Sequence, residues 1–81
     1  MSAAKADTQA KAVQAQFAKN LRGHRERMGF SQEGLAAICD LHRTEISLLE
    51  RCKRSPRLET IAVLARGLEL GSAAELLEGI R

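Results

Sequence analysis

The side chains best equipped for chemistry in this 81-residue chain are hydrogen-bond donors: Arg43, Thr44 and Ser47, with Gln32 upstream of them. The Arg43 guanidinium is a planar fork that matches O6 and N7 of guanine, a pairing worth about 1–3 kcal/mol of discrimination. Thr44 offers a methyl to thymine or a hydroxyl to a base or phosphate, and Ser47 lies one turn further on. Leu48 either meets a thymine methyl or stands idle at the surface. Gln32 follows Ser31, a good N-cap, and so sits where free backbone N–H groups and the helix dipole favour a phosphate. His42, Arg51, Lys53 and Arg54 flank this group with further donors and positive charge. No nucleophile, base and oxyanion set and no Gly-rich phosphate loop accompanies them, so an enzyme is not expected.

Cys39, His42, Cys52 and His24 invite a metal or redox reading, but their spacing is not a standard zinc pattern. No metal, cofactor or small-molecule ligand is expected. Cys39 suits a small core position. Cys52, between Arg51 and Lys53, either has a lowered thiol pKa and acts as a sensor or is a bystander. The N-terminus has no apolar run, so neither a signal peptide nor a membrane span is expected and the cytoplasm is the expected compartment. Both cysteines should then be free thiols.

Two short apolar-periodic segments must hold the donors. The first opens on Ser31 and carries Leu35, Ala36 and Cys39 on one face; the second begins near His42 and carries Ile46 and Leu49. A turn at Asp40 and Leu41 separates them. Two short helices joined by a tight turn, the second presenting polar residues from its first turn, form a helix-turn-helix suited to the major groove. Before it, Val13, Phe17, Leu21 and Met28 mark a long first helix over about 8–28, stopped by Gly29. After it, Pro56 places 53–57 in a loop. Leu58, Ile61, Leu64 and Leu68 form an amphipathic fourth helix that Gly71 should stop. Ser72 and Glu75 form a capping box for a fifth helix with Leu76, Leu77 and Ile80. Residues 1–8 are expected to be frayed and 9–81 to form a single domain.

Composition agrees. Trp and Tyr are absent and Phe17 and Phe30 are the aromatics, which argues against readers of single strands built on stacking platforms. Helix formers dominate and β-branched residues are few, so the chain should be all-α. The net charge of +3 is uneven. Residues 19–57 hold nine Lys and Arg against five acids, while 58–81 hold two against four. Positive charge concentrates around the helix-turn-helix, as a polyanion partner requires.

In combination, four stretches are specific: Leu21-Arg22-x-x-Arg25; Gly29-Phe30-Ser31-Gln32-Glu33-x-Leu35-Ala36; Arg43-Thr44-Glu45-Ile46-Ser47-x-Leu49-Glu50-Arg51; and Pro56-x-Leu58-Glu59-Thr60-Ile61. On these the chain resembles the Cro/C1 (XRE-type) helix-turn-helix family, over about residues 17–80. The phrase His42-Arg43-Thr44-Glu45-Ile46-Ser47 most resembles the controller proteins of restriction-modification systems, which are dimers of similar length. The resemblance implies a five-helix, repressor-like domain with an extended N-terminal helix, binding double-stranded DNA. It implies a backbone contact from Gln32 and a partly buried ion pair between Arg25 and Glu50 that carries no DNA readout. Three residues depart from the family pattern: His24 at an apolar core position, Asp40 at a turn glycine, and Cys52 at the glycine that ends the recognition helix.

A single recognition helix reads too few base pairs for useful specificity, so a homodimer on a pseudo-palindromic operator is expected. Its contact is placed on Leu76, Leu77 and Ile80, which otherwise would cap the core. The alternative from another class is an antitoxin or coactivator-like protein-interaction module on the same fold. Non-specific DNA compaction is a third option.

Overall fold

The computed structural model describes residues 3–81, with side chains from Thr8 onward. The described residues contain four α-helices and one short 3₁₀ helix: α1 Ala3–Arg27, α2 Gln32–Cys39, α3 Arg43–Glu50, α4 Leu58–Gly67, and the 3₁₀ helix Ala73–Leu77. The chain is helical without strands over this range, as its composition requires. The expected fifth α-helix is corrected: Ser72 does form the capping box with Glu75, but the turn that follows is 3₁₀. Five residues before Gly79 (φ 83°) leave no length for α-helical propagation.

The first helix is longer than its apolar pattern. The expected frayed stretch 1–8 includes Met1 and Ser2, which lie outside the described residues; from Ala3 the backbone is helical. Ala3, Ala4, Ala6, Gln9, Ala10 and Ala12 are strong helix formers or near neighbours of them, and nothing in the segment stops propagation. Among the residues of α1 whose side chains are described, those in its C-terminal part reach the core. Phe17, Ala18 and Leu21 are buried, while Val13 is exposed.

The core is mostly aliphatic. Leu21, Leu35, Ile46, Leu49, Leu64, Leu68 and Leu76 are fully buried side chains, each worth about 1.5–3 kcal/mol relative to exposure. Around them α2 packs on α3 and α4, α1 packs on α3, and the 3₁₀ helix packs on α1 and α4.

Each of the four α-helices closes through a residue in the left-handed region just past its end: Gly29 (φ 75°), Asp40 (φ 56°), Cys52 (φ 60°) and Glu69 (φ 57°). In every case the following N–H returns to a carbonyl five residues back. Phe30 N bonds Arg25 O at 3.1 Å, Leu41 N bonds Ala36 O at 2.8 Å, Lys53 N bonds Leu48 O at 2.9 Å, and Leu70 N bonds Ala65 O at 2.9 Å. These are Schellman closures, normally supplied by glycine. Asp40 and Cys52 thus hold the backbone shape that their glycine-to-side-chain departures put at issue. The stop of α4 is Glu69 and not Gly71.

Candidate nucleic-acid interface

The helix-turn-helix is built by α2, the Asp40–Leu41 turn and α3. Ser31 caps α2, its Oγ accepting from Gly34 N at 2.9 Å. His42 caps α3, its Nδ1 accepting from Thr44 N at 3.1 Å, which leaves Nε2 as the donor of the neutral ring. His42 is therefore first a helix cap; its ring is exposed beside the first turn of α3. The inner face of α3 buries Ile46 and Leu49, so its outer face carries Arg43 and Thr44, both exposed, and Ser47, half-buried.

Five of the sequence-chosen donors converge. Gln32, Arg43, Thr44, Ser47 and Arg51 line one open cleft between the start of α2 and α3, together with Arg25, Ser31 and Glu33. Glu33 was not anticipated. Its carboxylate lies 3.9 Å from Arg43 Nη1, with both side chains at least 70% exposed, an arrangement worth about 0–1 kcal/mol and readily exchanged for another partner. Leu48, Lys53 and Arg54 do not line the cleft. Leu48 is half-buried, Lys53 is exposed beyond the helix end, and Arg54 is ion-paired with Glu45 of α3. Only the three-dimensional turn after Cys52 brings Arg54 back over α3, so no local spacing signalled that pair.

In the wall of the cleft the Arg25 guanidinium grips Glu50 bidentately, Nε to Oε2 at 2.7 Å and Nη2 to Oε1 at 2.9 Å. The two side chains are 11% and 4% exposed, a buried pair in which loss of either partner costs about 3–5 kcal/mol. The Glu50 hydrogen bonds and charge push the Arg25 pKa above its ordinary value, outweighing desolvation. Arg25 Nη1 also donates to Phe30 O at 2.8 Å, tying the entrance of α2 to α1.

On the opposite side, the sequence-chosen apolar trio separates. Leu76 is fully buried and belongs to the core, a correction to its expected place on an intermolecular face; Leu77 is exposed and Ile80 half-buried. Successive residues of a 3₁₀ turn point about 120° apart, which sends Leu76 inward and Leu77 out. An open apolar groove of about 850 Å³ runs beside them, lined in part by Val13, Phe17, Ile61, Leu77 and Ile80. Cys39 and Cys52 are both unpaired, Cys39 buried and Cys52 exposed. Among the described residues no group of three His, Cys, Asp or Glu side chains is placed to hold a metal ion, and no helix is long and apolar enough to cross a membrane.

Two short helices at a tight turn, braced by a buried Arg–Glu pair and presenting donors from one cleft, define a helix-turn-helix protein. The helix-turn-helix domain family matches residues 16–78, and the chain belongs to it, in the Cro/C1 style. Among its relatives is the control protein C.SmaI of Serratia marcescens, 44% identical over 52 residues; the match spans 64% of this chain and 62% of that protein. Two crystal structures superpose with a TM-score of 0.77 over 80% of this chain. One is the hypothetical transcription factor NHTF from Neisseria, 38% identical with 74% of its length covered. The other is the restriction-modification controller protein C.AhdI from Aeromonas hydrophila, 35% identical with 97% covered.

Proposed function

We propose that the chain is a cytoplasmic, sequence-specific transcriptional regulator that binds double-stranded DNA as a homodimer on a pseudo-palindromic operator, with α3 in the major groove. The observation that carries this reading is the convergence of Gln32, Arg43, Thr44, Ser47 and Arg51 on one cleft at the exposed first turn of α3. Phosphate donors and base-edge donors there lie side by side, the division of labour that positions a protein and then specifies sequence. The likeness to controller proteins supports the same reading. Two-fold pairing draws support from Leu77, Ile80 and the apolar groove beside them, a surface a solitary small domain has no need to expose.

The test is selection of duplexes from a random library, followed by anisotropy titrations of the selected and a scrambled duplex across salt. A regulator shows a preference of at least about a thousandfold at physiological salt. Equal binding to both duplexes, with a steep salt slope, would assign non-specific compaction instead. Arg43→Ala should relax preference at one position per half-site at a cost of about 1–3 kcal/mol.

A further inference from the structure

The Arg25–Glu50 pair does more than brace α1 against α3. Glu50 Oε1 also accepts from Gln32 Nε2 at 3.1 Å. An ionised carboxylate only accepts hydrogen bonds, so the Gln32 amide must turn its nitrogen toward Glu50. That nitrogen carries two N–H groups. One is engaged by Glu50, and the second is left for an acceptor in the cleft that Gln32 lines. An unrestrained glutamine amide presents its carbonyl oxygen as readily as its nitrogen, and a carbonyl oxygen repels a phosphate.

We infer that Glu50 is a positioning residue for the DNA-backbone contact: it fixes the Gln32 amide with an N–H toward the phosphate, and Arg25 fixes Glu50. The relay runs through α1, α3 and α2 in turn. Arg25 holds the carboxylate by two bonds and, through Phe30 O, holds the chain two residues before Gln32. The pair is thereby assigned a role in binding and not in folding alone. This inference rests on the proposed DNA-binding function.

The test measures the full chain on a random-sequence 30-base-pair duplex at low salt, where phosphate contacts dominate. Wild type, Gln32→Ala, Glu50→Gln and the double variant are compared at a temperature where circular dichroism shows each one folded. Gln32→Ala and Glu50→Gln should each weaken binding about three- to tenfold, and the double variant should bind no worse than Gln32→Ala. Losses that multiply in the double variant would make Glu50 a purely structural residue and overturn the inference. If Glu50→Gln does not fold, the wild type alone decides. The side-chain amide of Gln32, identified in nitrogen-proton spectra by its loss in Gln32→Ala, should exchange with water more slowly than that of exposed Gln9. Equal exchange overturns the inference. A wild type that binds no duplex at all overturns both this inference and the function beneath it, a result distinct from multiplicative losses in a protein that binds.

Discussion

Gly67 of α4 packs directly against Cys39 of α2. A Cβ built on Gly67 would lie 2.4 Å from Cys39 Sγ, and that sulfur donates to Val63 O at 3.7 Å. Gly67→Ala should therefore destabilise the fold by about 1–3 kcal/mol by overpacking, although alanine is the better helix former. Adding Cys39→Ala removes the obstructing sulfur, so the double variant should recover part of the loss. Urea midpoints for the four proteins measure the coupling; strict additivity would show that the helices separate freely there.

The three non-glycine Schellman closures hold unused stability. A left-handed backbone costs an ordinary residue about 1–2 kcal/mol, offset in part by the greater chain entropy that glycine loses on folding. Cys52→Gly and Glu69→Gly should each raise stability, by up to about 1 kcal/mol. Thermal unfolding reads the gain. A drop for both variants would mean that their side chains make contacts outweighing the strain.

Burial pushes the Cys39 thiol pKa up. Folding thus favours the protonated thiol. The stability this confers is fully present below the unfolded thiol range, about 8.5, and is lost as pH rises through the higher folded value. The stability gap between wild type and Cys39→Ala should narrow from pH 7 toward pH 10, as followed by urea unfolding. At neutral pH a thiol reagent should label exposed Cys52 rapidly and Cys39 only through opening of the fold. A pH-independent gap would place Cys39 in contact with water.

Leu76 and Leu77 are neighbours with opposite duties. Leu76→Ala should cost about 2–5 kcal/mol of stability as a core truncation. Leu77→Glu, at an exposed site, should leave folding nearly intact and yield a monomer in sedimentation, with weak salt-sensitive DNA binding remaining. A wild type that sediments as a monomer at tens of micromolar would remove the pairing surface from the proposal.

Much of this fold is legible where the cause is local. Ser31, Gly29 and the Ser72–Glu75 box announce helix ends through hydrogen bonds between near neighbours, and each forms as expected. The Arg25–Glu50 pair was accessible only through family resemblance, since nothing local links residues on separate helices. The side chain of Gln32 reaching Glu50, and Arg54 reaching Glu45, carried no signal at all. The end of α4 lies before the glycine that turn rules select, because Glu69 takes the left-handed turn itself. Leu76 is drawn into the core and Leu77 is left outside by the packing of the 3₁₀ turn on α1 and α4, a tertiary choice that an apolar pattern alone does not announce. The start of α1 escaped an apolar pattern because alanine carries propensity without periodicity.

Asn20 gives α1 one further task. Its Nδ2 donates to Leu76 O at 2.9 Å and Glu78 O at 2.8 Å, clamping the C-terminal segment to the same helix whose Arg25 clamps α3. The two clamps are five residues apart, about 7.5 Å along a continuous helical rod. No joint intervenes between the face proposed for pairing and the helix proposed for reading. If two copies pair on that face as proposed, each protomer carries its reading helix on the same continuous rod as its pairing surface, with no hinge of its own between them. One inserted base pair between half-sites displaces them by about 3.4 Å and turns them by about 35°, a change of phase that such a frame does not follow. Under the proposed pairing, the spacing of the two half-sites becomes part of the message read, alongside the bases themselves.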